Sequence, residues 1–179
     1  MTRWCLLGLV VAACGGGPTS APDERPNPTQ AAVDVGRFQL TFDVARTTAR
    51  PGDEIEGVAT LRLLESGPGA LSGSGSGLLG FSFHEVGGEG RSLDPAFTAD
   101  CAPHRISIDK PIVSPIVRSG GYSGDEPDAD FKRSLLEAST LRLPAGTWNI
   151  TAQAGFIDGA NCEGESLSLA VTVQVVVTE

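Results

Sequence analysis

Thr147-Trp148-Asn149-Ile150-Thr151-Ala152-Gln153-Ala154-Gly155-Phe156 and Leu167-Ser168-Leu169-Ala170-Val171-Thr172-Val173-Gln174-Val175-Val176-Val177 decide the fold. In the first stretch Trp148, Ile150, Ala152, Ala154 and Phe156 alternate with polar or small residues. In the second, Leu167, Leu169, Val171, Val173, Val175 and Val177 alternate in the same way with Ser168, Thr172 and Gln174. Successive side chains of a strand point to opposite faces, so period-two alternation over this length means a strand buried on one side and wet on the other. The polar loop between the two, which holds Gly159, Cys162 and Gly164, turns the chain back into an antiparallel hairpin.

Working outward, the same period recurs. Phe38, Leu40, Phe42 and Val44 share a face of a first strand. After the turn Arg50-Pro51-Gly52-Asp53, Ile55, Ala59, Leu61 and Leu63 share a face of a second, and Leu79, Phe81 and Phe83 of a third beyond a Gly/Ser loop from Ser66 to Gly77. Residues 105–108 and 112–118 read as short strands, which Pro111 and Pro115 confine to edges or bulges because proline cannot donate to a ladder. Phe131, Leu135 and Ala138 fall at helical spacing behind the polar loop SGGYSGDEPDAD of residues 119–130. About seven to nine strands with at most one short helix, and nothing amphipathic between the strands, describe an all-β antiparallel two-sheet sandwich over residues 34–179.

Leu143-Pro144-Ala145-Gly146-Thr147-Trp148 resembles the approach to the penultimate strand of bacterial immunoglobulin-like and fibronectin-like domains, and Arg50-Pro51-Gly52-Asp53 resembles their Pro-Gly-Asp/Glu turn. The resemblance implies an immunoglobulin-like sandwich in which Trp148 stands where the family usually has a tyrosine. No cysteine occupies the inter-sheet positions of antibody domains.

The N-terminus carries an address. Residues 4–13 are apolar or small and follow the single charge of Arg3, the order of a secretory signal, but the run is too short for the roughly 20 residues that span a bilayer. Val11-Ala12-Ala13-Cys14 is similar to the lipobox of bacterial lipoproteins. That resemblance implies cleavage before Cys14 and acylation of its thiol and amino group, hence an anchor in the lipid bilayer that spans nothing. Residues 1–13 are then the signal, and residues 14–33, GGGPTSAPDERPNPTQAAV behind the lipidated cysteine, a Gly/Pro-rich tether of roughly 25 Å mean span. The location implied is a bacterial envelope: the outer membrane in a diderm, since Gly15 rather than aspartate follows the cysteine, and otherwise the outer face of the cell membrane.

On that reading Cys5 leaves with the signal and Cys14 is acylated, so Cys101 and Cys162 remain as a candidate disulfide in an oxidising compartment. Two free thiols and half of a metal site are the alternatives, although neither cysteine has a CxxC partner or a histidine at ligand spacing. Removing the signal takes away Arg3 alone, so the net charge goes from −9 to −10, which disfavours nucleic-acid phosphates as a partner.

Chemistry is sparse. Gly75-Ser76-Gly77-Leu78-Leu79-Gly80 spells GxGxxG, but a strand follows where a nucleotide-binding loop needs a helix. Asn149-Ile150-Thr151 spells a glycosylation sequon inside a strand. His84 and His104 are the two imidazoles, and no serine or carboxylate stands beside them at a spacing that points to a triad. Tyr122, Asp125, Glu126, Asp128 and Asp130 form the candidate binding loop, since ligand-binding residues concentrate on loops held by a rigid scaffold. The expectation is a non-catalytic binding or structural module without cofactor or assigned metal, facing an unidentified envelope protein or surface ligand. A calcium-dependent adhesion module and a small secreted enzyme or enzyme inhibitor are the alternatives.

Overall fold

The computed structural model describes residues 29–67 and 69–179. The lipobox, Cys14 and most of the tether lie outside them. The elements run β1 (Thr29–Val35), β2 (Phe38–Val44), β3 (Thr48–Ala49), β4 (Gly57–Leu63), β5 (Ala70–Gly73), β6 (Leu79–Glu85), β7 (Ser92–Leu93), β8 (Ala102–Arg105), β9 (Ile112–Pro115), α1 (Ala129–Glu137), β10 (Gly146–Asp158) and β11 (Glu165–Val177). They form an all-β sandwich of two sheets, one ordered β1-β2-β4-β9 and the other β3-β11-β10-β5-β8, with β6 also paired to β10 and β7 to β6.

The second strand of each hairpin reads directly from the alternation, and β10 pairs with β11 over its whole length from Gly146↔Val177 to Asp158↔Glu165. The chain crosses between sheets after β2: β3 leaves the first sheet and runs parallel to the end of β11. With β4 and β9 in one sheet and β6, β10 and β11 in the other, consecutive stretches of chain alternate between the two layers of the sandwich. Among the described residues, eleven strands stand where about seven to nine were expected. The additional ones are mostly β3, β5 and β7, of two to four residues, too short for alternation to register.

Three boundaries move, one of them that of β9, which ends at Pro115 where the strand was expected to reach residue 118. β1 begins at Thr29, so Thr29–Val33, counted with the tether in the sequence, belongs to the sheet. It is held by seven register pairs to β2 and by packing of Ala31, Val33 and Val35 against the core. Gly36, at φ 56°, takes the first central place of the two-residue turn into β2, a place that favours glycine. The short strand expected at 105–108 lies at Ala102–Arg105 and carries His104, and β5 interrupts the Gly/Ser loop because Leu71 and Ser72 are buried.

The inner faces are those the alternation assigns. Phe38, Leu40, Phe42, Leu61, Phe81, Phe83, Trp148, Ile150 and Val175 are completely buried, each contributing about 1.5–3 kcal/mol of apolar transfer. Phe38 meets Phe156 edge-on at 4.9 Å and Phe42 meets Phe81 at 5.7 Å, joining the sheets at their centre. Trp148 donates its indole N–H to the Pro144 carbonyl four residues upstream at 3.0 Å, fastening the start of β10 to its own approach. A tyrosine hydroxyl performs this service in immunoglobulin-like domains.

Both proline-bearing strands lie at edges, β9 in the first sheet and β8 in the second. Ile116 N–H bonds Gly57 O, so by alternation Ser114 and Ile112 face β4 while Pro115, Val113 and Pro111 face outward. Ile106 N–H bonds Gly69 O, which in the same way turns Pro103 and Arg105 outward. The prolines thus remove donors from the open side of both edges, a device that discourages further strand pairing.

Candidate functional site

The loop of residues 119–130 and helix α1 close one end of the sandwich. The helix lays Ala129 and Leu135 into the core, and Phe131 stacks on Trp148 with ring centroids 5.2 Å apart. Asp128 stands at the helix N-cap, yet its carboxylate makes no capping bond. It accepts instead from the Ser92 N–H of β7 at 3.0 Å and sits 3.1 Å from Lys132 Nζ. The loop is thereby tied to the sheet by a charge-assisted bond as well as by the aromatic stack.

Three of the four loop carboxylates, those of Glu126, Asp128 and Asp130, are already engaged. Glu126 accepts from Ser123 N–H at 2.9 Å and pairs with Lys132. Asp130 pairs with Arg133 at 3.0 Å, although its side chain is 95% exposed. Asp125 donates its backbone N–H to the Ser123 hydroxyl. Arg133 lies over the ring of Tyr122 at 5.7 Å and donates to its hydroxyl at 3.2 Å. The Lys132 bond holds the Glu126 carboxyl below its ordinary pKa. Burial acts to raise Asp128, but the Ser92 N–H and Lys132 outweigh it and the net shift is downward. Lys132 is raised by the same contacts, first of all by Glu126. Among the described residues, no group of three or more His, Cys, Asp and Glu side chains is placed to hold a metal ion.

Beneath the helix lies a contact that sequence reasoning missed. Arg91 forms a forked pair with Glu85, Nη2 to Oε1 at 2.7 Å and Nε to Oε2 at 3.0 Å, and the Glu85 side chain is only 4% exposed. The guanidinium lies 5.3 Å from the Trp148 ring and 5.8 Å from that of Phe131. The Arg91 bond depresses the Glu85 pKa against the opposing effect of burial, and Arg91 is raised in return. A groove of about 600 Å³ opens here, lined by Glu89, Arg91, Asp128, Asp130, Phe131 and Pro144 among others. Its lining joins one aromatic ring, Phe131, to the carboxylates of Glu89, Asp128 and Asp130.

No protein-family model, curated protein or solved structure matches the chain.

Cys101 and Cys162 are joined by a disulfide, with Cα atoms 6.1 Å apart, which ties the approach to β8 to the β10–β11 loop. Cys162 and its neighbour Asn161 have positive φ, 59° and 57°. Buried Ser72 of β5 holds this turn by donating to Gly159 O at 2.6 Å and accepting from Cys162 N–H at 2.9 Å. The adjoining Gly/Ser loop is organised too: Asp100 accepts from Thr98 and from Gly75 N–H, and His104 Nε2 lies 2.9 Å from Ser74 O. Those bonds, the one from Thr98 first, lower the Asp100 pKa.

His84 has the neighbours that the sequence did not reveal. Asp94 Oδ1 lies 2.8 Å from His84 Nε2, and Ser92 stands opposite His84 across the β6–β7 pair. The three residue types are those of a nucleophilic triad, but Asp94 occupies the ring nitrogen that a serine would need. His84 and Asp94 are also more than half exposed, in a position that excludes little water.

Proposed function

We propose that the chain is a lipid-anchored, extracytoplasmic binding module, held through acylated Cys14 and presenting the 119–130 loop and α1 as its recognition face. The observation that carries this reading is the clamp formed by the Phe131–Trp148 stack and the Asp128–Ser92 bond, which fixes an exposed loop on a rigid sandwich. The acidic rim of the groove, with Glu89 and Asp130 79% and 95% exposed, favours a protein segment bearing lysine or arginine. The lipobox resemblance supplies the location, an envelope surface.

Titration of the purified chain with a lysine/arginine-rich peptide in a calorimeter tests the face. Binding should weaken as salt rises and fall further in a Glu89→Gln/Asp130→Asn double variant. Equal binding by the variant, or none by the parent, would refute the assignment. Membrane fractionation tests the anchor: Cys14→Ser should move the protein to the soluble fraction.

A further inference from the structure

We infer that the free edge of β1 is a self-association surface through which two copies of this chain pair antiparallel about Ala32. Among the described residues β1 is the one full-length edge strand free of proline; β8 and β9 carry outward-facing prolines, and β3 and β7 have two residues each. The backbone bonds of its neighbour say which β1 groups face outward. Leu64 N–H bonds Arg37 O and Ala45 N–H bonds Glu56 O, so the odd-numbered residues of β2 serve β4. The even-numbered ones, Phe38, Leu40, Phe42 and Val44, therefore serve β1, opposite Val35, Val33, Ala31 and Thr29. Gln30, Ala32 and Asp34 are left with their N–H and C=O groups directed at solvent.

A two-fold axis beside Ala32 matches all three outward residues at once. Ala32 meets Ala32 of the second copy, Gln30 meets its Asp34, and Asp34 meets its Gln30. Three pairs that each exchange two bonds give about six backbone hydrogen bonds. Registers displaced by one pair lose a bonded pair, and the register that centres on Asp34 sets two carboxylates face to face, which opposes pairing. In the Ala32 register each carboxylate lies beside an amide.

The exposed face is already prepared for such company. Asp34 accepts from Gln39 at 3.0 Å and Asp43 from Gln30 at 2.6 Å, so the acidic groups near the seam are each covered by an amide. On the opposite face Ala31, Val33 and Val35 are partly buried against the core, and pairing would extend that apolar row across the seam. Two four-stranded sheets would join into one of eight.

Sedimentation velocity of the full chain over a concentration series tests this pairing. A reversible dimer is expected. Gln30→Asp, which opposes two carboxylates at both ends of the seam, should weaken it about tenfold, and Gln30→Lys should tighten it. Ala32→Pro should abolish the dimer while leaving the monomer's melting temperature unchanged, since the Ala32 N–H has no partner within the sheet. Hydrogen exchange at Gln30, Ala32 and Asp34 should slow as concentration rises, a readout that does not depend on any variant folding. A monomer up to millimolar concentration, a dimer indifferent to the charge at position 30, or protection that appears at another edge would overturn the proposal.

Discussion

Glu85 is the residue on which the capped end of the sandwich depends most. It is a nearly buried carboxylate whose two oxygens receive the Arg91 fork and the backbone N–H groups of Glu89 and Arg91. Replacing it by alanine strands a guanidinium against Trp148, and the expected loss is about 3 kcal/mol in urea unfolding. The folded pKa of Glu85 lies below its ordinary 4.5, so its contribution is complete above that pH and fades as pH falls through the lower folded value. The stability gap between the parent and Glu85→Gln should accordingly be full at pH 7 and shrink below about 4.5. None of this contact was visible in the sequence. Arg91 sits in the Gly-rich stretch Val86-Gly87-Gly88-Glu89-Gly90-Arg91, and its aromatic partners lie far along the chain. Alternation reports which face of a strand is apolar and is silent about which distant charge a loop residue meets.

Among the elements, α1 is held by its buried Ala129 and Leu135 and by the Phe131 stack, and loss of that stack should loosen it before any strand. Phe131→Ala removes the stack on Trp148 and should cost about 2 kcal/mol. Hydrogen exchange should then show the α1 amides losing protection while those of β10 keep theirs. Calcium should leave the melting temperature where a chelator leaves it, because Lys132 and the Ser92 N–H already engage Glu126 and Asp128, Arg133 pairs with Asp130, and no three acidic groups converge among the described residues. A rise with calcium would restore the adhesion-module alternative. The disulfide spans 61 residues, so reduction should lower stability by about 4 kcal/mol on the chain-entropy account, measured by denaturation with and without reductant. These elements were unevenly legible. β10 and β11 announce themselves over thirteen residues each, and spacing was enough for α1. β1 was not legible, because Thr-Gln-Ala-Ala-Val-Asp-Val has little apolar contrast and becomes a strand through its pairing with β2. The acidic loop displayed its charges in the sequence, and only the fold shows which groups answer them.

At the scale of the whole molecule, the proline-marked edges separate one open side from the others. Pro111→Thr with Pro115→Thr restores two outward donors beside Val113, which is 56% exposed. The double variant should scatter light at concentrations where the parent stays clear, with little change in the unfolding midpoint. The parallel contact between β3 and β11 has a different consequence, one of timing. Val176 N–H bonds Thr47 O, and Thr178 N–H bonds Ala49 O. A strand from the first third of the chain thus waits for the last strand before it has a neighbour. Closing so long a loop is slow, and a fold dominated by such distant pairings matures in milliseconds to seconds. A chain leaving a ribosome cannot complete the second sheet until residues near Val177 have followed, so that sheet closes last.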